Sequence, residues 1–457
     1  MDQTQAAPCA RSRDRATVSR TRRSATLLGV IPAILGVGVF VAAWILVPLW
    51  ILGLGPLLLV WLTLSRVGRQ ALAIAWVGLS TVPQRIGATS VVVVGIAGVV
   101  GVLVALQAMA AGFEATLTGA GSNDTALVLR AAANAELSSA LDRPSTTLIV
   151  QAPGIARDDK GRPVASAEVV VVASVPKRKT GTDANLEVRG VGPAAWTIRP
   201  QVRMIRGRRF EPGLRELIVG QGALRQFSGL EIGDSIELNN QDWRIVGVFA
   251  SDDTLESEVW GDAESIAAAY RRNGFQSVAV RLTEPAALER LRSALSADPR
   301  LRVEIQTTRE YYGKQSERLT RVIRAVGIGV GIMMALGAVF GALNTMYAAV
   351  ASRAREIATL RALGFTGQPV VVAVMLETMV LALAGGVLGA GIAWALFHGF
   401  TVSTLGSNFS QVVFQFQVTP GLLLRGLQWA LGIGFAGGIF PALRAARLPV
   451  TTALREL

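Results

Sequence analysis

The sequence predicts an α-helical membrane protein of six spans carrying a large α+β extracytoplasmic domain of two lobes. Three observations carry this. The 457-residue chain is 51% hydrophobic but only 17% charged, with a mean hydropathy of +0.44, where soluble domains hold about a quarter charged residues. The shortage is uneven: residues 24–65, 86–113, 325–352 and 378–424 contain no Asp, Glu, Lys or Arg, while 114–324 has ordinary soluble composition. Arginines gather at the ends of the apolar blocks, where the positive-inside rule places them. A crossing needs roughly 20 apolar residues, so each block has room for at least one.

Along the chain, residues 1–23 hold six arginines against two aspartates and read as a basic cytoplasmic tail. Residues 24–65 are too long for one helix and suit a transmembrane hairpin turning near Pro48 or Gly53–Pro56. Arg66, Arg69 and Arg85 follow it, so both flanks belong to the same side and the number of crossings is even. Residues 66–85 read as a cytoplasmic interfacial helix with Leu72, Trp76 and Leu79 on one face and Trp76 suited to the headgroup layer. A span over 86–113 leaves the membrane at Gly112–Glu114.

The domain over 114–320 shows strand patterns at Thr147–Val150, Glu168–Ala173, Glu216–Val219, Ser235–Leu238, Trp243–Val248 and Ser277–Arg281. Asn239–Asp242 is a hairpin loop, and Ala263–Arg272 and Pro285–Ala297 are helical, with Leu288, Leu291 and Leu295 on one side. The Gly, Pro and Lys of Val175–Pro193 suggest a flexible crossing between the lobes. Spans follow over 321–350, 370–398 and 421–443, separated by a charged elbow at 351–369 and a polar outer loop at 399–420. A basic tail over 444–457 puts both termini of a multi-pass membrane protein in the cytoplasm.

Several chemistries are excluded. The net charge of +13 is carried by arginines that track membrane boundaries, so no nucleic-acid partner is expected beside the lipid bilayer. One cysteine, Cys9, and one histidine, His398, leave no internal disulfide and no Cys/His metal site. Gly313–Ser316 is only a fragment of a phosphate-binding loop, and no histidine lies in the domain to build a triad. Asp252, Asp253, Glu256 and Glu258 read as a solvated charged loop and not as an acid/base pair, so no catalytic residue is assigned.

The elbow is the candidate site. On a helix Arg353 and Glu356 pair at i, i+3, while Ile357, Leu360 and Leu363/Gly364 form an apolar stripe with Arg355 and Arg361 at its rim. Spacing alone allows either a docking element for a partner groove or a topogenic loop. Glu377 sits inside a span at a cost of a few kcal/mol unless it meets water or a partner. A residue of the elbow, or a proton or ion, would satisfy it. Gly327/Gly331, Gly337/Gly341, Gly385/Gly389 and Gly434/Gly438 have the spacing of close helix packing, within a bundle or a dimer.

The runs Ser352–Phe365, Leu376–Gly389 and Pro441–Arg455 resemble the FtsX-type permease module of MacB-like ABC transporters. Ile205–Gly213, Glu216–Gly220 and Gly229–Ile236 resemble the periplasmic core domain of the same family. The resemblance implies one span, an exterior domain and three more spans, with two permeases paired above cytoplasmic ABC ATPases that bind the ATP and Mg. It assigns the elbow to ATPase docking and implies mechanotransmission, in which ATPase closure moves the exterior domain to drive export. A homodimer, a separate ATPase subunit, a periplasmic adaptor and an outer-membrane duct are the partners it suggests, with no cofactor on this chain. LolC/LolE-like lipoprotein extraction and FtsX-like signalling to cell-wall hydrolases are its variants. Two departures are the missing fused ATPase and the extra N-terminal hairpin.

Overall fold

The computed structural model describes residues 55–406 and 410–447. Among them, four helical stretches are long and apolar enough to cross a membrane: Val82–Gly119, Thr308–Ser352, Gly367–Phe397 and Pro420–Arg447. A fifth crossing would need the pair Gly55–Leu64 and Arg66–Ser80 to act together, and that pair is bent by 98°. At about 1.5 Å per residue the described part of the first of these, Gly55–Leu64, spans about 15 Å, half of a hydrocarbon core of about 30 Å. Ser65 makes the break: its Oγ accepts the Gly68 N–H at 2.8 Å and caps the second helix. A Cβ on Gly68 would lie 2.4 Å from the Leu62 carbonyl oxygen, so the bend needs glycine there. The six-span expectation is not reached here; the rest of the expected hairpin, with the two tails at 1–23 and 448–457, lies outside the described residues.

The chain divides into two units. One comprises the residues up to Leu106, Ala325–Leu396 and Val418 onward; the other comprises Gln107–Arg324 and Phe397–Gln417. Two helices extend beyond the expected spans. Ile86–Gly119 passes through the anticipated exit at Gly112–Glu114, and Thr308–Ser352 begins well before residue 321. Their outer turns carry Glu114, Glu310, Lys314, Glu317, Arg321 and Arg324. Charge therefore ended the apolar blocks without ending the helices.

The second unit is built on a ten-stranded sheet of order β12-β1-β11-β3-β4-β9-β6-β8-β5, with β7 added to β8. The strands are β1 Thr125–Arg130, β2 Leu141–Asp142, β3 Ala165–Pro176, β4 Asp183–Val191, β5 Arg203–Gly207, β6 Glu216–Gly220, β7 Ser235–Leu238, β8 Gln241–Ala250, β9 Glu258–Asp262, β10 Gly274–Phe275, β11 Ser277–Arg281 and β12 Val303–Thr307. β3 bridges the sheet: Ala165–Glu168 pair with β11, and Val169–Pro176 pair with β4. One sheet carries two separate cores. One packs Val171, Leu186, Leu217, Phe227, Trp243 and Ile266; the other packs Val128, Ile149, Val278, Leu291 and Ile305.

Three local expectations are corrected. Val175–Pro193 is no flexible crossing but the β3–β4 hairpin, closed by Lys177 N–H on Thr182 O at 2.9 Å, with Gly181 at φ +66°. Its Gly and Lys are turn residues of a tight reversal. Thr147–Val150 belongs to the helix Arg143–Val150, because Asp142 accepts the Ser145 N–H at 2.8 Å and Pro144 suits the first turn. That cap outweighs the β-branched side chains. The Asn239–Asp242 loop shortens to Asn239-Asn240, both at positive φ, with Gln241 and Asp242 already paired in β8. The outer loop 399–420 also holds structure, a hairpin of β13 Thr401–Leu405 and β14 Gln411–Gln415.

Candidate functional site: the elbow between two long helices

Thr308–Ser352 gives way at Arg353 to a short helix, Ala354–Ala362, before Gly367–Phe397 begins. The short helix ends on Gly364 at φ +98°: Gly364 N–H reaches Arg361 O at 3.1 Å and Phe365 N–H reaches Leu360 O at 3.2 Å. This is the reversal that glycine permits without a Cβ penalty. Leu360 and Phe365, the pair that such a cap brings together, pack against one hydrophobic cluster.

Arg353 lies at the start of the elbow with its side chain 13% exposed. Its Nε donates to Glu356 Oε2 at 3.0 Å, and its Nη1 donates to Glu377 Oε2 at 3.2 Å. Glu377 is buried on the third long helix. The carboxyl inside the apolar segment is thus held by the elbow's own arginine, the elbow-partner alternative of the two open from sequence. The helix Arg66–Ser80 covers this pair. A Cβ on Gly78 would lie 2.7 Å from both Arg353 Nη1 and Glu377 Oε2.

That helix was missed as a packing element. Leu72 and Trp76 are exposed, as an interfacial face would be, but the opposite face buries Gly68, Ala71, Ile74, Ala75 and Gly78. Ile74 and Ala75 join Met346, Val350, Ile357, Val370 and Ala442 in one cluster. The small residues recurring on this face are the signal that sequence carried.

The apolar stripe of the elbow divides. Ile357 is buried and Leu360 is half-buried in that internal cluster, whereas Leu363 is 73% exposed beside the exposed Gly364. The outer surface therefore consists of Arg355, Glu356, Thr359, Ala362 and Leu363, with Arg361 partly covered.

The glycine pairs also separate. Gly385 and Gly389 sit against Val93 and Ala97, where an added Cβ would meet carbonyl oxygens at 2.7 and 2.3 Å. Gly327 and Gly331 face Leu106 and Leu103; Gly434 and Gly438 face Ala382 and Thr378. Gly337 and Gly341 have nothing within 4 Å. Gly385→Leu should lower the melting temperature of the purified chain in detergent, since backbone there cannot give way. Gly337→Leu should leave that of the monomer fraction unchanged, since nothing within the chain meets a Cβ there. Equal melting temperatures for the two would refute this packing.

The group Asp252, Asp253, Glu256 and Glu258 is not the solvated loop expected. Asp252 is exposed, but Asp253 and Glu258 are buried. Burial pushes Asp253 up to about 6, against the hydrogen bonds it accepts from Ser251 and Gln201. Glu258 belongs to a buried charge cluster around Arg189. Nothing there matches a nucleophile and base, and among the described residues no His/Cys/Asp/Glu group has metal-binding geometry.

Residues 86–298 match the family model of the MacB-like periplasmic core domain, and residues 328–450 match that of the FtsX-like permease C-terminal region. The chain belongs to the MacB-like, FtsX-type ABC permeases. The macrolide export ATP-binding/permease protein MacB of Vibrio parahaemolyticus is 26% identical over 239 residues, 49% of this chain and 35% of that protein. The uncharacterized ABC transporter permease YknZ of Bacillus subtilis is 30% identical over 143 residues, 31% of this chain and 33% of that one. The chain spans about a third of the length of these relatives. The crystal structure of the periplasmic region of MacB from Actinobacillus actinomycetemcomitans aligns at 11% identity and a TM-score of 0.31, over 45% of this chain and 94% of that one. In this FtsX-type permease the elbow, Glu377 and the last three glycine pairs all fall within the FtsX-like region, and the core-domain match begins at Ile86, with the first long helix.

Proposed function

We propose that this chain is the permease subunit of a MacB-like ABC transporter, working with an ATPase that lies outside this sequence. The ATPase carries the ATP and Mg, docks on the elbow from the cytoplasm, and drives movements of the large exterior domain that perform export. The pairing of Arg353 with both Glu356 and Glu377 carries the reading. It ties the exposed elbow to the interior of the third long helix, so a push on the elbow is delivered to that helix and not absorbed by a slack loop. Two unbroken helices, Ile86–Gly119 and Thr308–Ser352, lead from the apolar blocks into the domain sequence and suit mechanical relay. A second permease copy would complete the assembly, and the open Gly337/Gly341 face offers it a close approach. A periplasmic adaptor and outer-membrane duct would extend it in a two-membrane cell, with both termini cytoplasmic.

Leu363→Asp changes an exposed side chain that touches no internal cluster, and Glu356→Lys reverses a charge on the same surface. Each should reduce stimulation of the co-purified ATPase by the permease at least tenfold with membrane insertion intact, and Leu363→Asp, which breaks no bond to Arg353, should also leave the melting temperature as in the parent chain. Undiminished stimulation in both variants would move the docking site elsewhere. Absence of any ABC ATPase after gentle extraction from native membranes would reject the assignment as a whole.

A further inference from the structure

Between the third and fourth long helices, the β13–β14 hairpin packs onto the domain sheet over a buried charge cluster. Arg189 on β4 is 1% exposed and meets four carboxyl groups: Glu136 at 2.8 Å, Glu168 at 3.1 Å, Glu187 at 3.0 Å and Glu258 at 2.7 Å. Arg199 adds a second guanidinium, bound to both oxygens of Glu168 at 2.6 and 2.9 Å. Four carboxyls thus face two guanidiniums in a site without bulk water, an imbalance that low dielectric makes costly. The cheapest remedy is a bound proton.

The hairpin closes this site. Ser410 Oγ donates to Glu187 Oε2 at 2.8 Å, Val413 N–H donates to Ser257 Oγ at 2.9 Å, and Gln226 Nε2 donates to Ser403 Oγ at 2.9 Å. Phe414 stands edge-on to Phe113 at 5.4 Å. Gly406, Ser410 and Val412 roof a cavity of about 30 Å³ whose other walls include Glu187, Arg189, Glu258, Tyr311 and Tyr312. Every carboxyl is gripped from the domain side, Glu187 by Arg189 Nη2 at 3.0 Å. Glu136 takes both terminal nitrogens of Arg189 and the Ser277 hydroxyl, Glu168 takes Arg199, and Glu258 takes Arg189 twice and Trp260 Nε1. Glu187 is the one that the hairpin caps.

We infer that docking of the β13–β14 hairpin takes up a proton at Glu187, making the hairpin a pH-sensitive latch: seated in acid and released in alkali. The groups that line the cavity with Glu187 are Arg189 on its own strand, Glu258 on β9, Glu136 from the turn after β1, and the neutral phenols of Tyr311 and Tyr312, while Glu168 on β3 joins through Arg189, Arg199 after the short helix Ala195–Ile198 joins through Glu168, and Asp253 lies ahead of β9 on Ser251. Burial, with repulsion from Glu258 and Glu136, pushes Glu187 up to about 7, against the pull of Arg189 and of the hydrogen bond that Ser410 donates. Glu136, also buried, is held below its ordinary value because desolvation is outweighed by Arg189, the Ser277 hydroxyl and Arg199 together. A carboxyl raised in the seated state binds a proton that the unseated state has released. Seating therefore weakens as pH rises from the ordinary carboxylate range through about 7, and is weakest above it. The latch holds whether or not the elbow docks an ATPase.

Amide hydrogen exchange of the hairpin, read by mass spectrometry on the full chain in lipid nanodiscs and corrected for intrinsic rates, tests this. Between pH 6 and pH 8, Thr401–Leu405 and Gln411–Gln415 should lose protection about tenfold, the linkage of one proton, while the strand Glu216–Gly220 keeps its own. Glu187→Gln should give equal protection at both pH values. Unchanged protection in the parent chain would overturn the latch without need of any variant. So would parallel loss in Glu216–Gly220, which signals general unfolding, or a tenfold loss that persists in Glu187→Gln.

Discussion

Arg189→Met should prevent the large domain from reaching its native state. The guanidinium is fully buried and binds four glutamates, and removing one partner of a buried pair costs about 3–5 kcal/mol. Whole domains are stable by about 5–15 kcal/mol, so losing the hub of several pairs exceeds what the fold can absorb. Arg189→Lys should fail almost as badly. A lysine has three donors radiating from one nitrogen and cannot span the Nε–Nη2 pairing to Glu258 and the Nη1–Nη2 pairing to Glu136. Limited proteolysis of membranes containing the full chain would show it. Both variants should be cut within 114–324 under conditions that leave the parent intact, and a parent-like pattern would mean the cluster is dispensable.

Arg353→Ala should lower the stability of the helical unit by about 3–5 kcal/mol, the cost of stranding one member of a buried pair. Its side chain is 13% exposed and that of Glu377 is 7% exposed, so the carboxyl loses its guanidinium in a site largely shielded from water. The informative variant is the double change Arg353→Met with Glu377→Met. Isosteric apolar pairs often match or exceed the buried ion pair they replace, so stability should return. Coupling to an ATPase should not, because the tie to Glu356 is gone as well. Melting curves in detergent beside ATPase stimulation separate the two effects. If the double variant recovers both, the ion pair matters for assembly alone.

Much of the helical unit was legible because charge and hydrophobicity are one-dimensional signals. The uncharged blocks located the four long helices, and the i, i+3 spacing of Arg353 and Glu356 anticipated their bond. Glycine at 385, 389, 434 and 438 does mark close helix contacts. The same signal failed to separate these from Gly337 and Gly341, since which face of a helix meets a neighbour depends on the rotation of both. In the domain, alternating strands were visible at Glu216–Val219 and Ser277–Arg281, but Val175–Pro193 was misread because turn residues look alike in a tight hairpin and a linker.

By itself the sequence determined the class of this protein: where helices can cross a bilayer, where a soluble domain interrupts them, which motifs resemble the FtsX-type permeases, and that Glu377 requires a partner. Those follow from transfer free energy and local pattern, which act on each segment alone. Only the tertiary structure decided that Arg353 is that partner, that Ile357 is packed inside while Leu363 is exposed, and that Arg189 gathers Glu187 of its own strand with Glu136, Glu168 and Glu258 from elsewhere in the chain. Pairings between residues far apart in sequence depend on strand order and helix rotation, and no local periodicity encodes either.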